Sequence, residues 1–327
     1  MKSKELVFAA VAAAALVTRV GQAQSYDPRA PENLPDAPSP PSLPDLTHRA
    51  LYASFETTQA SVQPNNLGGV PQGRVFGSLT RLEGELALDA RRRWFVGAGE
   101  EIAISGLGSG TLLPSYPELW GRAVWASRAG LAYGGGLGIV APVFPRTPNT
   151  EAAAGARLAR VVKPWSFALF SDNTFTARPF LDARVIDGTV TLQLRQSFEL
   201  QGLVADARLP TRSLVSRTTL YVGYQPVKPL GFGVEVTEVY FISASRVCVA
   251  DAPKNSQGEP AAVGAQSACT NLTDDLRAAF VVSPSVRFLV RDFQPAVSAI
   301  VPFGQTLLGE ARTFWALRLT IGGVFSR

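Results

Sequence analysis

Hydrophobic and polar residues alternate along most of the chain beyond residue 47, most clearly from Thr174 to Leu200. Phe175, Ala177, Leu181, Ala183 and Val185 hold one set of alternate positions, and Thr174, Thr176, Arg178, Asp182 and Arg184 hold the other. After Asp187-Gly188 the alternation resumes. Val190, Leu192, Leu194, Phe198 and Leu200 stand against Thr189, Thr191, Gln193, Arg195, Ser197 and Glu199. A period of two on both sides of an Asp-Gly pair predicts a β-hairpin. Its arms exceed the five or six residues usual for a soluble strand and match the roughly ten-residue alternating segments of a transmembrane barrel. A half-buried sandwich hairpin would alternate in the same way, so the rest of the chain must decide.

The same pattern predicts ten more strands, near 48–60, 74–88, 93–104, 118–126, 130–141, 214–225, 230–246, 276–291, 294–303 and 312–326. Arg81, Glu83 and Glu85 oppose Leu82, Leu86 and Leu88, and Arg122 opposes Leu119 and Trp125. Arg217 opposes Leu220, Val222 and Tyr224. Arg277, Arg287 and Arg291 oppose Phe280, Val286 and Phe288, and Arg318 opposes Trp315 and Leu319. Connections after the even-numbered strands are short and the others are mostly longer, the asymmetry of barrels with short turns on the periplasmic rim. The count is twelve, and one ambiguous strand would move it to ten or fourteen. One long connection departs from strand patterning. Residues 149–163 are alanine-rich, can be capped by Asn149 or Thr150, and stop before Pro164, which predicts a helix. It either folds into the barrel and narrows it or lies over the rim.

Composition changes the picture at the N-terminus. Lys2 and Lys4 precede an apolar run from Leu6 to Val17 and a small-residue end at Gly21-Gln22-Ala23, the layout of a signal peptide over 1–23. Residues 24–46 are proline-rich and predict an extended periplasmic linker. Residues 47–327 carry the barrel. Formal charge is +5. The signal peptide holds Lys2, Lys4 and Arg19 against Glu5, which leaves +3 for the mature chain. That dispersed excess, without a basic run, argues against nucleic acid as a partner. Cys248 and Cys269, with 20 residues between them, predict a disulfide in an exported protein. Two cysteines with no histidine nearby make no metal site, and no cofactor is expected.

Signal peptide, alternating strands, loop asymmetry and the aromatic last strand (Phe314, Trp315, Phe325) resemble a Gram-negative outer-membrane β-barrel of the porin or small-solute channel kind. The terminal aromatic residue of that family is absent, because Ser326-Arg327 follow Phe325. The resemblance implies an all-β, antiparallel, up-and-down transmembrane barrel in the bacterial outer membrane. Its partners would be outer-membrane lipid, the barrel-assembly machinery and small-molecule solutes. Arg81, Arg122, Arg178, Arg184, Arg195, Arg217, Arg277, Arg287, Arg291 and Arg318 share the inward phase with Glu83, Glu85, Glu101, Asp182, Glu199 and Glu235. These predict a polar, Arg-rich pore lining with a mild anion preference, or else a ladder of salt bridges that plugs the interior. The expected function is passive diffusion of small polar or amphipathic solutes. The other reading is a non-conducting structural or binding barrel that displays the Cys248–Cys269 loop. No enzyme is expected: His48 stands beside no Ser or Asp motif, and no helix pattern follows the glycines at 106–110 or 134–136 as a phosphate loop requires.

Overall fold

The computed structural model describes residues 50–64, 74–105, 112–126, 131–144, 151–171, 173–203, 212–227, 229–243, 246–249, 268–271, 277–290, 293–304, 306 and 311–325. The signal peptide, the proline-rich linker, His48, Asn149, Thr150 and Arg291 lie outside these residues.

The wall begins with β1 (Leu51–Pro64), β2 (Val75–Ala87) and β3 (Trp94–Ser105). A short β4 (Leu112–Pro114) and β5 (Glu118–Ala126) both pair with β3, so together they fill one wall position broken at Ser115–Pro117. β6 (Leu131–Val140) completes the first half. After an inserted segment come β7 (Thr174–Asp187), β8 (Val190–Leu203), β9 (Arg212–Val227) and β10 (Leu230–Phe241). β11 (Arg246–Val249) and β12 (Ala268–Asn271) form a separate two-stranded sheet. The wall then finishes with β13 (Ala278–Phe288), β14 (Phe293–Phe303) and β15 (Ala311–Phe325). Each wall strand is antiparallel to the next, and β1 pairs with β15 in register from Leu51–Phe325 to Gln63–Thr313. With β4 and β5 counted as one, twelve strands close the ring among the described residues.

Closure is what lipid demands, since every backbone N–H and C=O must be satisfied internally. The alternation sorts side chains accordingly. Leu82, Leu119, Leu181, Leu200, Val222 and Trp315 are exposed on the outer surface, while Glu101, Arg122, Arg178, Asp182 and Arg318 are buried inside. At the short-turn rim Trp94 and Trp125 meet edge to face at 6.4 Å, and Tyr133 stacks on Trp125 at 5.9 Å. These belong to the aromatic girdle expected where a barrel meets the membrane interface. Glu100 on β3 and Glu238 on β10 interrupt the outward face, a placement that costs an acid less than a base.

The predicted strands recur with shifted ends. The central hairpin turns at Asp187-Gly188, where Gly188 takes a φ of +56° that glycine adopts without a Cβ penalty. β9 is 16 residues long and outruns its predicted 214–225 at both ends. The strand expected over 230–246 stops at Phe241, and residues 246–249 belong to the separate sheet. There Cys248 stands directly opposite Cys269.

The helical prediction resolves in favour of insertion. α1 (Glu151–Val162) and a following 3₁₀ helix (Pro164–Phe170) sit inside the barrel. Ala156, Ala159, Val161 and Val162 join Ala60, Val62, Leu79, Ala103 and Leu113 in one buried apolar cluster. All seven residues of the 3₁₀ helix are buried. The apolar filling occupies the long-loop half of the bore.

β6 makes room for the bulky and charged side chains of its neighbours below the insertion. Gly134, Gly136 and Gly138 point inward, and a Cβ on Gly136 would fall 2.7 Å from the Phe180 ring and closer still to the Gly121 carbonyl. Gly136→Ala should therefore cost about 1–3 kcal/mol of stability by overpacking. Loss of the folded, fast-migrating band in semi-native electrophoresis would occur at a lower temperature. Gly202→Ala, where a Cβ meets nothing within 4 Å, should leave that temperature unchanged.

Candidate functional site

Below the apolar half, toward the short turns, the bore is charged. β2 and β7 converge on Glu118 of β5, which accepts from Arg81 at 3.1 Å and pairs with Arg178. Arg81 also pairs with Glu83 at 2.9 Å. Arg122 and Glu85 form a buried ion pair, and the Trp120 indole N–H donates to the same carboxylate at 2.8 Å. Asp182 takes both arms of Arg195, at 2.6 and 2.9 Å, while that guanidinium lies 4.2 Å from the centre of the Phe180 ring. Glu199 stands 3.6 Å from Arg178 and accepts from Gln201 at 3.3 Å.

The inserted segment is tied to this layer by its basic end. Lys163 bridges Glu56 at 2.5 Å and Glu101, all three being buried. Arg217 donates through Nη1 to the Trp165 carbonyl at 2.5 Å. Arg318 lies 5.5 Å from the Trp165 ring centre and donates through Nε to Ser298 Oγ at 2.8 Å, with Glu235 at 3.8 Å. The wall reaches toward the segment too. Where β4 gives way to β5, the Tyr116 amide donates to the Leu169 carbonyl at 2.9 Å. The Tyr116 hydroxyl accepts from the Asn173 amide at 3.1 Å.

Among the residues expected to line a pore, Glu85, Arg122, Arg178, Asp182, Arg184, Glu199, Arg217, Arg287 and Arg318 are buried inside the barrel. Arg81, Glu83 and Arg195 are partly exposed inside it. Arg277 stands half-buried just before β13. The alternation sets Glu118 on the polar face with Arg122, yet Glu118 and Glu56 were not among the expected lining, and their addition, with Lys163, brings the interior close to charge balance. Both share the phase of inward neighbours, Glu56 with Ser54 and Thr58 and Glu118 with Arg122, so the signal was present. Lys163 and Trp165 carry no periodic signal because they belong to the insertion.

Between the charged layer and the segment lies a cavity of about 80 Å³, lined by Tyr52, Ser54, Glu83, Trp120, Trp165, Ser166, Phe180 and Arg217 among others. At about 30 Å³ per liquid water it has room for only a few molecules. The arrangement can hold water and a small solute group against fixed charges, and the inserted segment narrows the way beyond.

No protein-family model matches the sequence. No characterised protein matches it in sequence either. Among solved structures the chain is similar to an outer membrane channel from Pseudomonas putida F1. That match has 9% identity, 88% of this chain and 99% of the other covered, and a TM-score of 0.58. Looser likenesses are to the KdgM porin in complex with disordered oligogalacturonate (10% identity, 83% and 99% covered, TM-score 0.43) and to the toluene transporter TbuX of Ralstonia pickettii (9%, 85% and 90%, 0.40). At such identities the likeness is one of fold. The closed twelve-strand wall with its apolar outer face has the fold of a transmembrane β-barrel.

The Lys163 tether yields a direct test. Lys163→Met would leave Glu56 and Glu101 buried without their cation, a change that costs about 3–5 kcal/mol when one partner of a buried pair is removed. The urea midpoint of the refolded barrel should fall accordingly. Adding Glu56→Gln and Glu101→Gln to the same chain should restore most of it.

Proposed function

We propose that the protein is an outer-membrane diffusion channel for small polar or amphipathic solutes, with the inserted segment as its constriction. The observation that carries this reading is the charged, cavity-bearing half of the bore. Burying ions is expensive unless each is paired, and a barrel serving only as a scaffold could fill the same space with apolar side chains. Fixed charges around a water-sized cavity suit a path along which solutes exchange hydration for protein contacts. Arg184 and Arg195, together with Arg178 and Arg287, supply the attraction for anions. The near balance of charge makes the resulting selectivity mild.

A second reading has its own support. The long-loop half is packed with buried apolar residues, and Lys163 anchors the segment to two carboxylates. That favours a non-conducting barrel which binds through its outer loops. The register of Cys248 opposite Cys269 supports a disulfide closing one such loop. Single-channel recording of the refolded mature protein in a planar bilayer separates the two readings. The channel reading expects small ohmic steps with slight anion preference under a salt gradient. Charge reversal at Arg184 and Arg195 should shift the reversal potential toward cations. Silence from a correctly folded, heat-modifiable barrel would overturn the channel reading.

A further inference from the structure

We propose that the cavity contains an anion subsite centred on Arg217, which takes the carboxylate of a very small organic acid such as formate or acetate. The proposal deepens the channel reading. It rests on that reading for passage of the acid, though not for its binding.

Arg81, Arg122, Lys163, Arg178, Arg195 and Arg318 each have a carboxylate within 4 Å. Arg217 has none among the described residues, although it is only 7% exposed. One of its donors, Nη1, is spent on the Trp165 carbonyl, and its Nε is buried without a hydrogen-bond partner. A buried cation left in that state is costly, so a ligand that supplies an acceptor is favoured. Glu199 attracts Arg217, but Arg178 and Gln201 already engage that carboxylate. Arg195 and Arg81 meanwhile repel Arg217.

The surroundings select the ligand. The other cations that line the cavity, Arg81, Arg122, Lys163, Arg178 and Arg195, already have carboxylates, so Arg217 offers its charge to a single negative group. A guanidinium fork matches a carboxylate in planar fashion. With a cavity of about 80 Å³, room for a few waters at about 30 Å³ each, only the smallest carboxylates, formate or acetate, fit.

Acetate is the probe, with acetamide as its neutral counterpart, titrated by calorimetry into the folded mature barrel in detergent. Saturable acetate binding is expected, with acetamide much weaker. Arg217→Gln should weaken acetate roughly tenfold to a hundredfold, the loss expected for a charge-assisted hydrogen bond. Arg217→Lys should retain part of the affinity, which separates loss of charge from loss of the Trp165 contact. Equal affinity in wild type and Arg217→Gln, or no saturable binding by the folded wild type, would overturn the subsite. Planar-bilayer current keeps the two claims apart. Conduction that acetate does not reduce counts against the subsite alone, whereas acetate binding by a silent barrel supports the subsite and counts against the channel.

Discussion

Lipid offers a peptide group no hydrogen-bond partner, and the rest of this molecule follows from that constraint. A strand in the bilayer must be paired on both sides, so the chain closes β1 onto β15 over most of their length and has no free edge. A closed wall then has two solvents, hydrocarbon outside and an interior of its own making. Period-two alternation is the sequence consequence of having both. The aromatic cluster of Trp94, Trp125 and Tyr133 fixes where the wall meets the interface.

A ring of twelve strands encloses more volume than wall side chains alone readily fill. The protein fills the long-loop half with α1 and the 3₁₀ helix, and the other half with paired charges. These solutions meet at Lys163 and Trp165. The apolar segment ends in a lysine that reaches the carboxylates of β1 and β3, and its Trp165 carbonyl and ring are engaged by arginines of β9 and β15. The constriction is thus held by ionic contacts at its inner end and by packing elsewhere. The break between β4 and β5 serves the same purpose, since it frees the Tyr116 amide from the wall ladder to bond Leu169.

The wall was legible in the sequence because each strand reads out its own two environments. Arg178, Asp182 and Arg184 sit opposite Leu181 and Val185 whatever their partners, and the Asp187-Gly188 turn needs no long-range information. The lining was legible in phase but not in pairing. Nothing local says that Arg178 finds Glu118 across β6, or that Arg217 finds no carboxylate among the described residues, because those outcomes depend on strand stagger and barrel curvature. The inserted segment was legible as a helix and not as an insertion. Its alanines would serve equally well on a rim, and only the apolar inward positions Ala60, Val62, Leu79, Ala103 and Leu113 and the buried carboxylates of β1 and β3 make the interior the better place. Strand ends shifted for a related reason: β9 extends beyond its alternating core because neighbouring strands continue to offer partners.

The central claim is that residues 151–170 set the width of the bore. Its most direct test is unitary conductance of a barrel in which a short Gly-Ser linker replaces that segment, recorded beside the intact protein once both show the folded band. The account predicts a conductance several-fold higher in the excised barrel, with the charged half of the bore now the narrowest part. Equal conductance in the two folded proteins would contradict it.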